Sequence, residues 1–471
     1  MIRTLLAFAL LCAPLLPAQE RAPNVILMLV DDLGWTDLGC QGSKYYETPN
    51  IDQLARDGMR FTDAYSACTV CSPTRAAVLT GKAPARLHIT DWIAGHQRPY
   101  TRLKSPEWTK HLPLEETTLA EHLREAGYAT ASIGKWHLGG AEFGPEKHGF
   151  DVNIAGYEAG SPPSYFSPYK IPTLTDGPEG EFLTDRLTSE AVQFIQRNKE
   201  RPFLIYLPHY AVHTPIMGKP EVAAKYRAKG PAGNHHDPVY AALVESVDDS
   251  VGRLRAALKE LSLDENTIFI FTSDNGGLSH LVNAQGWRRG PTDNSPLRLG
   301  KGGPYEGGVR VPLIINWPAV VEAGGVNDTP VISHDLAPTV LEAAGVTPGA
   351  EHVMDGVSLL PLLTQKDFLK RDAIYWHYPH YHPGSAAPHS AIREGDWKLV
   401  FFHEDKRAEL YNLRRDPGEM DNVADIEGDV AGRLVQALDG WLESTGAQMP
   451  EDNPDFNIER AWESPRPAKK K

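Results

Sequence analysis

The sequence predicts an α/β fold: a large, mostly parallel central sheet flanked by helices, followed by a smaller α+β domain with an antiparallel sheet. Three observations support this prediction. Short apolar runs stop abruptly at polar residues, segments with helical periodicity lie between those runs, and hairpin-like spacing replaces the alternation after about residue 365. Strands that alternate with helices are typical of βαβ units in an open sheet.

Four apolar runs predict strands of the central sheet. They cover residues 25–30, 128–133, 203–207 and 267–272. Because the runs are continuous and do not alternate with polar residues, we expect strands that are buried on both faces. Polar residues follow each run, at the strand end beyond which open α/β sheets bind their ligands.

Helical patterns lie between these strands. Thr48 and Pro49 can cap and begin one helix, and Thr118 begins a second; each pattern ends at a glycine. A third, longer pattern runs from about residue 239 to 261, with apolar residues on one face. The alternation of strand and helix therefore extends through the first two thirds of the chain.

The C-terminal part has a different pattern. Residues 391–393 and 397–402, joined by a turn at 394–396, predict a hairpin, and residues 409–413 predict a third strand. A final amphipathic helix carries a stripe of leucines. We predict a catalytic domain over residues 22–365 and a C-terminal subdomain over 366–471.

The N-terminus predicts a secretory signal peptide over residues 1–18. Arg3 precedes a short apolar run, and Ala18 lies at the expected cleavage position. The run is too short for a membrane anchor. We expect an exported protein, periplasmic or secreted. The formal net charge of −14 argues against a nucleic-acid partner.

Cys12 leaves with the leader, and three cysteines remain in the mature chain. An odd number in an exported protein indicates a free or modified thiol. Cys40 and Cys68 form a disulfide or remain two buried thiols, and their spacing does not decide between these. Cys71 precedes S-P-T-R and an apolar helical run, which a purely structural thiol would not require.

Two predicted strands end in oxygen ligands. Asp31 and Asp32 follow the first strand, and Asp274 and Asn275 follow the last. Carboxylate and amide oxygens suit a hard cation such as Ca²⁺ or Mg²⁺. Each pair alone is as well explained by a turn. Two pairs at one edge of a sheet favour a metal site.

Basic residues follow the other strands and are candidates for binding a tetrahedral anion. They are Lys135, His137, His213 and, in a glycine-rich segment, Lys301. Surface exposure explains each of them equally well when taken singly. At Cys71, Pro73 suits a first helical turn, so the helix dipole and Arg75 would stabilise a thiolate. A thiol is nevertheless a poor ligand for a hard cation, which conflicts with the predicted metal site.

A family resemblance resolves this conflict. C-S-P-T-R at 71–75 resembles the C-x-P-x-R signature of type I sulfatases, whose cysteine is oxidised after translation to formylglycine. G-Y-A-T-A-S-I-G-K-W-H-L-G resembles the second signature of that family, and N-V-I-L-M-L-V-D-D-L-G, T-S-D-N-G-G and E-G-G-V-R-V-P match in order. The resemblance runs from about residue 24 to 422. It implies the alkaline-phosphatase-like α/β sandwich with a small C-terminal sheet domain.

The resemblance also implies a mechanism of sulfate ester hydrolysis. Formylglycine at Cys71 would hydrate to a gem-diol and act as nucleophile. One Ca²⁺ would be held by Asp31, Asp32, Asp274, Asn275 and the modified Cys71. Arg75 and Lys135 would orient the diol, Lys301 would hold sulfate, His213 would protonate the leaving group and His137 would act as base. A separate maturation enzyme is implied as a partner.

The substrate is less specified. Aromatic and basic residues within 91–92, 287–289 and 375–382 are candidates for sugar contacts, notably Trp92, Arg289, His377 and His380. Packing at the domain interface explains the aromatic residues equally well. The combination of these segments resembles exported bacterial sulfatases that act on galactose or N-acetylgalactosamine sulfates. The alternatives are a phosphonate or phosphate monoester hydrolase, a non-catalytic glycan-binding relative, or a cysteine-nucleophile hydrolase.

Overall fold

The computed structural model describes residues 21–283, 286–350, 352–384 and 387–463. The predicted leader lies outside these residues, as does the basic C-terminal tail. Within the described ranges, no helix combines the length and apolarity needed to cross a bilayer.

The strands, in chain order, are β1 (Asn24–Val30), β2 (Met59–Phe61), β3 (Ala64–Tyr65), β4 (Leu103–Lys104), β5 (Ala129–Ile133), β6 (Val152–Ile154), β7 (Phe203–Pro208), β8 (Thr267–Ser273), β9 (His280–Asn283), β10 (Gly286–Arg289), β11 (Leu313–Asn316), β12 (Gly325–Asn327), β13 (Val331–Ile332), β14 (Ala373–Tyr378), β15 (His389–Glu394), β16 (Trp397–Phe402), β17 (Arg407–Asn412) and β18 (Glu451–Asp452).

The α-helices are α1 (Pro49–Asp57), α2 (Cys71–Thr80), α3 (Pro84–Leu87), α4 (Leu119–Glu125), α5 (Leu183–Asn198), α6 (Pro220–Lys229), α7 (Pro238–Glu260), α8 (Glu306–Val309), α9 (Leu336–Ala343), α10 (Leu360–Leu363) and α11 (Gly428–Thr445). The predicted strands β1, β5, β7 and β8 and the predicted helices α1, α4 and α7 are confirmed, with ends that differ by a few residues.

The central sheet has the strand order β12-β2-β11-β8-β1-β7-β5-β6. Strands β8, β1, β7, β5 and β6 run parallel to one another, whereas β11 runs antiparallel to both β8 and β2. Every residue of β1, β7 and β8 is buried. The prediction of a mostly parallel sheet, buried on both faces, is therefore confirmed.

Successive side chains of β1 enter two different cores, as strand geometry requires. Ile26, Met28 and Val30 pack in a core that contains residues of α1, α5 and α7. Val25, Leu27 and Leu29 pack in another that contains residues of α2, α4 and α9. Strand β1 therefore lies in the middle of the sandwich with helices on both faces. Its carboxyl end lies at the edge of the sheet where Asp31 and Asp32 follow.

A separate antiparallel sheet, with the order β14-β15-β16-β17, forms the C-terminal part. The predicted hairpin is β15–β16, and the predicted third strand is β17. Helix α11 packs its leucine stripe on one face of this sheet. The other face packs against residues of the larger part, including Tyr65 and Ile332.

The structure separates the two roles that the sequence left open for residues 375–382. Residues 375–378 belong to strand β14, which pairs with β15 along its whole length, whereas His382 lines a cavity described below. Trp376 packs in the core beneath the sheet, and Tyr375 stacks on Trp441 of α11. These aromatic side chains are therefore used for packing, which is the typical role of aromatic residues in strands.

Candidate active site

The oxygen ligands predicted from the sequence meet at one edge of the central sheet. Asp31 and Asp32 follow β1, and Asp274 and Asn275 follow β8. The two strands are adjacent and in register at their ends, where Val30 lies opposite Ser273. The Asn275 amide donates to Asp32 Oδ1 at 2.8 Å, so the two pairs are in direct contact.

Three basic side chains contact these carboxylates. Lys135 Nζ lies 2.6 Å from Asp31 Oδ2, and Lys301 Nζ lies 2.7 Å from Asp32 Oδ1. Arg75 donates twice to Asp274 Oδ2, at 2.6 and 3.0 Å. We call these six residues, which are Asp31, Asp32, Arg75, Lys135, Asp274 and Lys301, the site cluster.

Burial and neighbouring charge shift the pKa values of Asp31 and Asp32 in opposite directions. Burial raises the pKa of Asp31 to about 7, although Lys135 opposes this shift. Asp32 is equally buried, but the charge of Lys301 and the hydrogen bonds from Lys301 and Asn275 outweigh burial and lower its pKa. Without further positive charge, the cluster therefore does not keep all of its carboxylates ionised at neutral pH.

The donor set fits a hard cation. The ligand atoms of Asp31, Asp32, Cys71 and His213 lie within 4.8 Å of one another. Asp31 Oδ1 and Asn275 Oδ1 are buried and have no hydrogen-bond partner among the described residues. Buried oxygens of this kind are costly unless something binds them. A divalent cation would supply both the missing partner and the missing positive charge.

Cys71 begins helix α2 and is fully enclosed, with 2% of its surface exposed. Burial raises the pKa of its thiol to about 12, even though Lys135 and Lys301 oppose the shift. The expectation of a stabilised thiolate is therefore wrong. Arg75 donates to Asp274 and to the Lys135 carbonyl, while Lys301 Nζ lies 3.4 Å from the sulfur.

The two predicted catalytic histidines contact backbone carbonyls. Because a carbonyl only accepts, His213 Nδ1 donates to Thr214 O at 2.8 Å, and His137 Nε2 donates to Ile93 O. Burial lowers the pKa of His213 to about 3 and that of His137 well below its usual value. Both rings are neutral, and His213 Nε2 lies 3.7 Å from Asp32 Oδ2.

A cavity of about 370 Å³ opens above Cys71. Of the residues predicted to contact substrate, Trp92 lies in its wall, as does His382 from the predicted segment 375–382. The lining residues are Asp32, Cys71, Trp92, His96, His137, Gly160, Ser161, His213, Thr214, Leu278, His280, Lys301, His382, Pro383 and Gly384. Sequence reasoning missed His96, Ser161 and Leu278, which lie outside the strand ends and outside the recognised signatures.

The structure does not bring the other predicted substrate contacts to this cavity. His377 is buried between Ser390 Oγ and the Gln448 carbonyl, at 2.8 and 2.9 Å. His380 is buried against Thr90 Oγ1 at 2.8 Å. Arg289 is exposed and donates to the Asn234 carbonyl. Both ring nitrogens of His377 are thus satisfied within the protein, whereas His380 Nδ1 is buried with no hydrogen-bond partner among the described residues.

The question of a disulfide between Cys40 and Cys68 has a structural answer. Both are free thiols, with Cys68 buried and Cys40 half-buried. Burial raises the pKa of each to about 12. Neither side chain lines the cavity above Cys71.

Comparison with known proteins agrees with this geometry. The sulfatase family model matches residues 23–346, and a model described as N-sulphoglucosamine sulphohydrolase, C-terminal, matches residues 301–444. A protein named sulfatase from Formosa agariphila is 34% identical and covers 93% of this chain and 93% of its own. Human N-acetylgalactosamine-6-sulfatase is 36% identical over 75% of this chain and 68% of its own length.

Solved structures show the same relationship. The crystal structure of Ps i-CgsB in complex with k-i-k-neocarrahexaose has a TM-score of 0.76 and 30% identity, covering 93% of this chain and 95% of that one. The phosphonate monoester hydrolase of Agrobacterium radiobacter, at 20% identity and a TM-score of 0.66, shares the fold. The chain belongs to the sulfatase family of sulfuric ester hydrolases and has the alkaline-phosphatase-like fold.

Proposed function

We propose that this sulfatase removes sulfate from sulfated carbohydrates of the galactose or N-acetylgalactosamine type, using formylglycine made from Cys71. The observation that carries the proposal is the position of Cys71 at the start of α2. Its buried sulfur lies within 4.8 Å of ligand atoms of Asp31, Asp32 and His213, and Lys301 Nζ lies 3.4 Å from it. Burial also raises the pKa of the thiol, which disfavours a thiolate nucleophile. Replacement of the sulfur by a hydrated aldehyde supplies an oxygen nucleophile at the same place.

The metal in this proposal is one Ca²⁺, held by Asp31, Asp32, Asp274, Asn275 and the modified Cys71. The unpartnered oxygens of Asp31 and Asn275 support this assignment. A bound Ca²⁺ would acidify a neighbouring hydroxyl and offset the charge of the sulfate. Addition of Ca²⁺ to chelator-treated protein should raise the thermal unfolding temperature, because binding to the folded state alone stabilises it. An unchanged unfolding temperature would contradict the assignment.

The first half of the reaction breaks the ester. One diol hydroxyl loses its proton to solvent, the resulting oxygen anion forms a bond to sulfur, and the bond from sulfur to the ester oxygen breaks. Lys301, beside Asp32 and the residue 71 side chain, holds the sulfate oxygens. Arg75 and Lys135 hold Asp274 and Asp31, and their charges stabilise the diol anion. His213 gives a proton to the departing alkoxide.

His213 is neutral in the structure without substrate, so it must gain a proton at Nε2 before it can act as an acid. Burial lowers its pKa, and Lys301 lowers it further. A bound sulfate ester brings a negative charge that pairs with Lys301 and raises the pKa of His213. The general-acid role therefore depends on bound substrate.

The second half regenerates the aldehyde. His137 takes the proton of the remaining hydroxyl, the C=O bond re-forms, and the bond from carbon to the sulfate oxygen breaks. Sulfate leaves with the electron pair of that bond. No water attacks sulfur in this sequence, and the aldehyde is ready to hydrate again.

The carbohydrate substrate is supported by the relatives and by the cavity. One relative is named N-acetylgalactosamine-6-sulfatase, and one similar structure contains k-i-k-neocarrahexaose. Trp92 in the cavity wall offers an aromatic face for a sugar ring, and His96 beside it offers a neutral ring. The predicted leader supports export to the periplasm or the medium, where sulfated polysaccharides are accessible.

Two measurements test the proposal. Mass spectrometry of the peptide containing residue 71 in fully active enzyme should show formylglycine, and a thiol there would contradict it. Sulfate release from defined monosulfated galactose and N-acetylgalactosamine should exceed release from other monosulfated sugars. A strong preference for an aryl phosphate over the matched aryl sulfate would instead indicate a phosphate or phosphonate hydrolase.

A further inference from the structure

We propose that Asp91 is a positioning residue for turnover: its buried carboxylate fixes the turn of residues 91–96, and that turn fixes the tautomer of His137. The inference rests on the proposed role of His137 as the base of the second half-reaction. Asp91 itself does not line the cavity. It acts through the backbone of the turn.

The Asp91 carboxylate is a hydrogen-bonding hub. Its Oδ1 accepts from the Trp92 backbone N–H at 2.9 Å and from the Tyr378 hydroxyl at 2.8 Å, and its Oδ2 accepts from the His96 backbone N–H at 3.1 Å. Asp91 and Tyr378 are both buried, with 0% and 1% of their surfaces exposed. Tyr378 ends β14, so its hydroxyl links the C-terminal sheet to the turn.

Burial raises the pKa of Asp91 to about 7, although Tyr378 and the two backbone donors lower it. A carboxyl group in the interior is costly unless its hydrogen bonds are satisfied. Here the bonds close the turn from both ends, because Trp92 and His96 lie on either side of Ile93. The shape of the turn therefore depends on this carboxylate.

The turn is hydrogen-bonded to Ser72 and to His137 through the backbone of Ile93. The Ile93 backbone N–H donates to Ser72 Oγ at 3.1 Å, and Ser72 Oγ donates to the His137 carbonyl at 2.9 Å. The Ile93 carbonyl accepts from His137 Nε2. Ser72 directly follows Cys71, so the same residue that bonds to the backbone of His137, the proposed base, is adjacent to the proposed nucleophile.

The contact with Ile93 decides which nitrogen of His137 can act. A carbonyl has no proton to give, so His137 carries its proton on Nε2 and its lone pair on Nδ1. His137 Nδ1 is buried and has no hydrogen-bond partner among the described residues. It is therefore the atom available to take the proton of the diol. If the Ile93 carbonyl moved, the ring would lose both its orientation and its tautomer.

The same turn shapes the cavity wall. The Trp92 indole donates to His96 Nδ1 at 2.9 Å, which leaves the His96 proton on Nε2. Both side chains line the cavity. A relaxed turn should therefore also weaken substrate binding, which lowers kcat/KM, whereas the slower second half-reaction lowers kcat.

The test compares Asp91→Asn and Tyr378→Phe with the wild type, using 4-nitrophenyl sulfate in stopped-flow experiments. Nitrophenol leaves in the first half-reaction, whereas His137 acts in the second. We expect a burst of nitrophenol close to one equivalent per formylglycine, followed by a slow steady state. For Asp91→Asn, kcat should fall by about 10- to 100-fold, less than the roughly 10²–10⁴-fold effect of removing a general base itself. Tyr378→Phe should give a smaller effect of the same kind.

Tyr128→Phe is the matched control. Tyr128 is also buried, and its hydroxyl donates to the Pro23 carbonyl at the opposite edge of the sheet. It should leave both phases unchanged. Formylglycine content and the unfolding temperature are measured for every variant. If Asp91→Asn does not fold, Tyr378→Phe carries the test alone.

The inference would be overturned if both variants kept the wild-type burst and steady-state rates. It would also be overturned if the burst rate and the steady-state rate fell by the same factor. Wild-type enzyme that holds a thiol at position 71, or releases no sulfate, would instead overturn the proposed function. The two failures are therefore distinguishable in one set of measurements.

Discussion

The site cluster has a counterpart of the same composition beneath the C-terminal sheet. There, Lys398 Nζ lies between Glu306 and Glu419, at 2.8 and 2.9 Å, and all three side chains are fully buried. Arg310 and Arg393 both contact Asp63. We call these six residues, which are Asp63, Glu306, Arg310, Arg393, Lys398 and Glu419, the linking cluster.

Each cluster contains three carboxylates and three cations, but one connects parts of the fold and the other lies at the candidate active site. The linking cluster joins the strands of the C-terminal sheet to the segment that contains Lys301. The site cluster opens on the cavity above Cys71, which Asp32 and Lys301 line. Charge composition alone therefore does not identify an active site, whereas the cavity at Cys71 distinguishes the site cluster.

The largest expected effect is at the site cluster. Cys71→Ala should abolish sulfate release because it removes the precursor of the nucleophile, and Cys71→Ser should do so if the maturation enzyme requires cysteine. Thermal unfolding should change little, since the side chain is small. Residual turnover by Cys71→Ala would exclude residue 71 as the nucleophile.

His213→Ala should separate substrates by their leaving groups. We expect a loss of roughly 10²–10⁴-fold for an alkyl sulfate, which needs a proton on its departing oxygen. The loss should be much smaller for 4-nitrophenyl sulfate, because nitrophenolate leaves without one. Steady-state kcat/KM on both substrates is the measurement, and equal losses would argue against the general-acid role.

In the linking cluster the main effect should be on stability. Lys398→Met leaves two buried carboxylates without their shared cation, and we expect the free energy of unfolding to fall by about 3–5 kcal/mol. Urea denaturation measures this. Activity per folded molecule should fall far less than in Cys71→Ala.

Lys225→Met is the matched control for Lys398→Met. Lys225 pairs with Glu47 and Glu245 at the exposed surface. Such a pair contributes about 0–1 kcal/mol. Similar losses for the two lysine variants would show that burial does not set the strength of the linking cluster.

The smallest expected effect is on the pH dependence of stability. Burial raises the pKa of Glu419 to about 7 in the folded protein, from 4.5. The folded state therefore favours the protonated carboxyl, and its contribution to stability is lost as pH rises from about 4.5 through about 7. Glu419→Gln mimics the protonated form, so the free energy of unfolding should fall less steeply between pH 5 and 8. An unchanged slope in denaturation measured across that range would contradict this.

Elements with a local signal could be predicted from the sequence. The apolar runs of β1, β7 and β8, the cap of α4 and the β15–β16 hairpin carry their evidence within a few residues. The sequence also allowed us to predict that Asp31, Asp32, Asp274 and Asn275 converge, because the carboxyl ends of neighbouring parallel strands meet at one edge of the sheet.

Features that depend on distant partners could not be predicted. His377 has the residue type of a sugar contact, but its partners are Ser390 on the paired strand β15 and Gln448, which is 71 residues away in the sequence. Strand β14 looked like a ligand-binding segment because its aromatic residues serve packing and binding equally well. The pKa of Cys71 depends on how deeply α2 is enclosed, which no local pattern records.

Helix α2 is buried along its entire length, from Cys71 to Thr80. In the folded protein Cys71 has 2% of its surface exposed beneath the cavity, so its segment is not accessible to another protein as an extended peptide. If a maturation enzyme converts Cys71, it must reach the chain while this stretch is still extended. Active enzyme would then form only from molecules in which Cys71 is oxidised before folding is complete. The yield of working enzyme would be decided before the sheet assembles, by the supply of the modifying protein during synthesis or export.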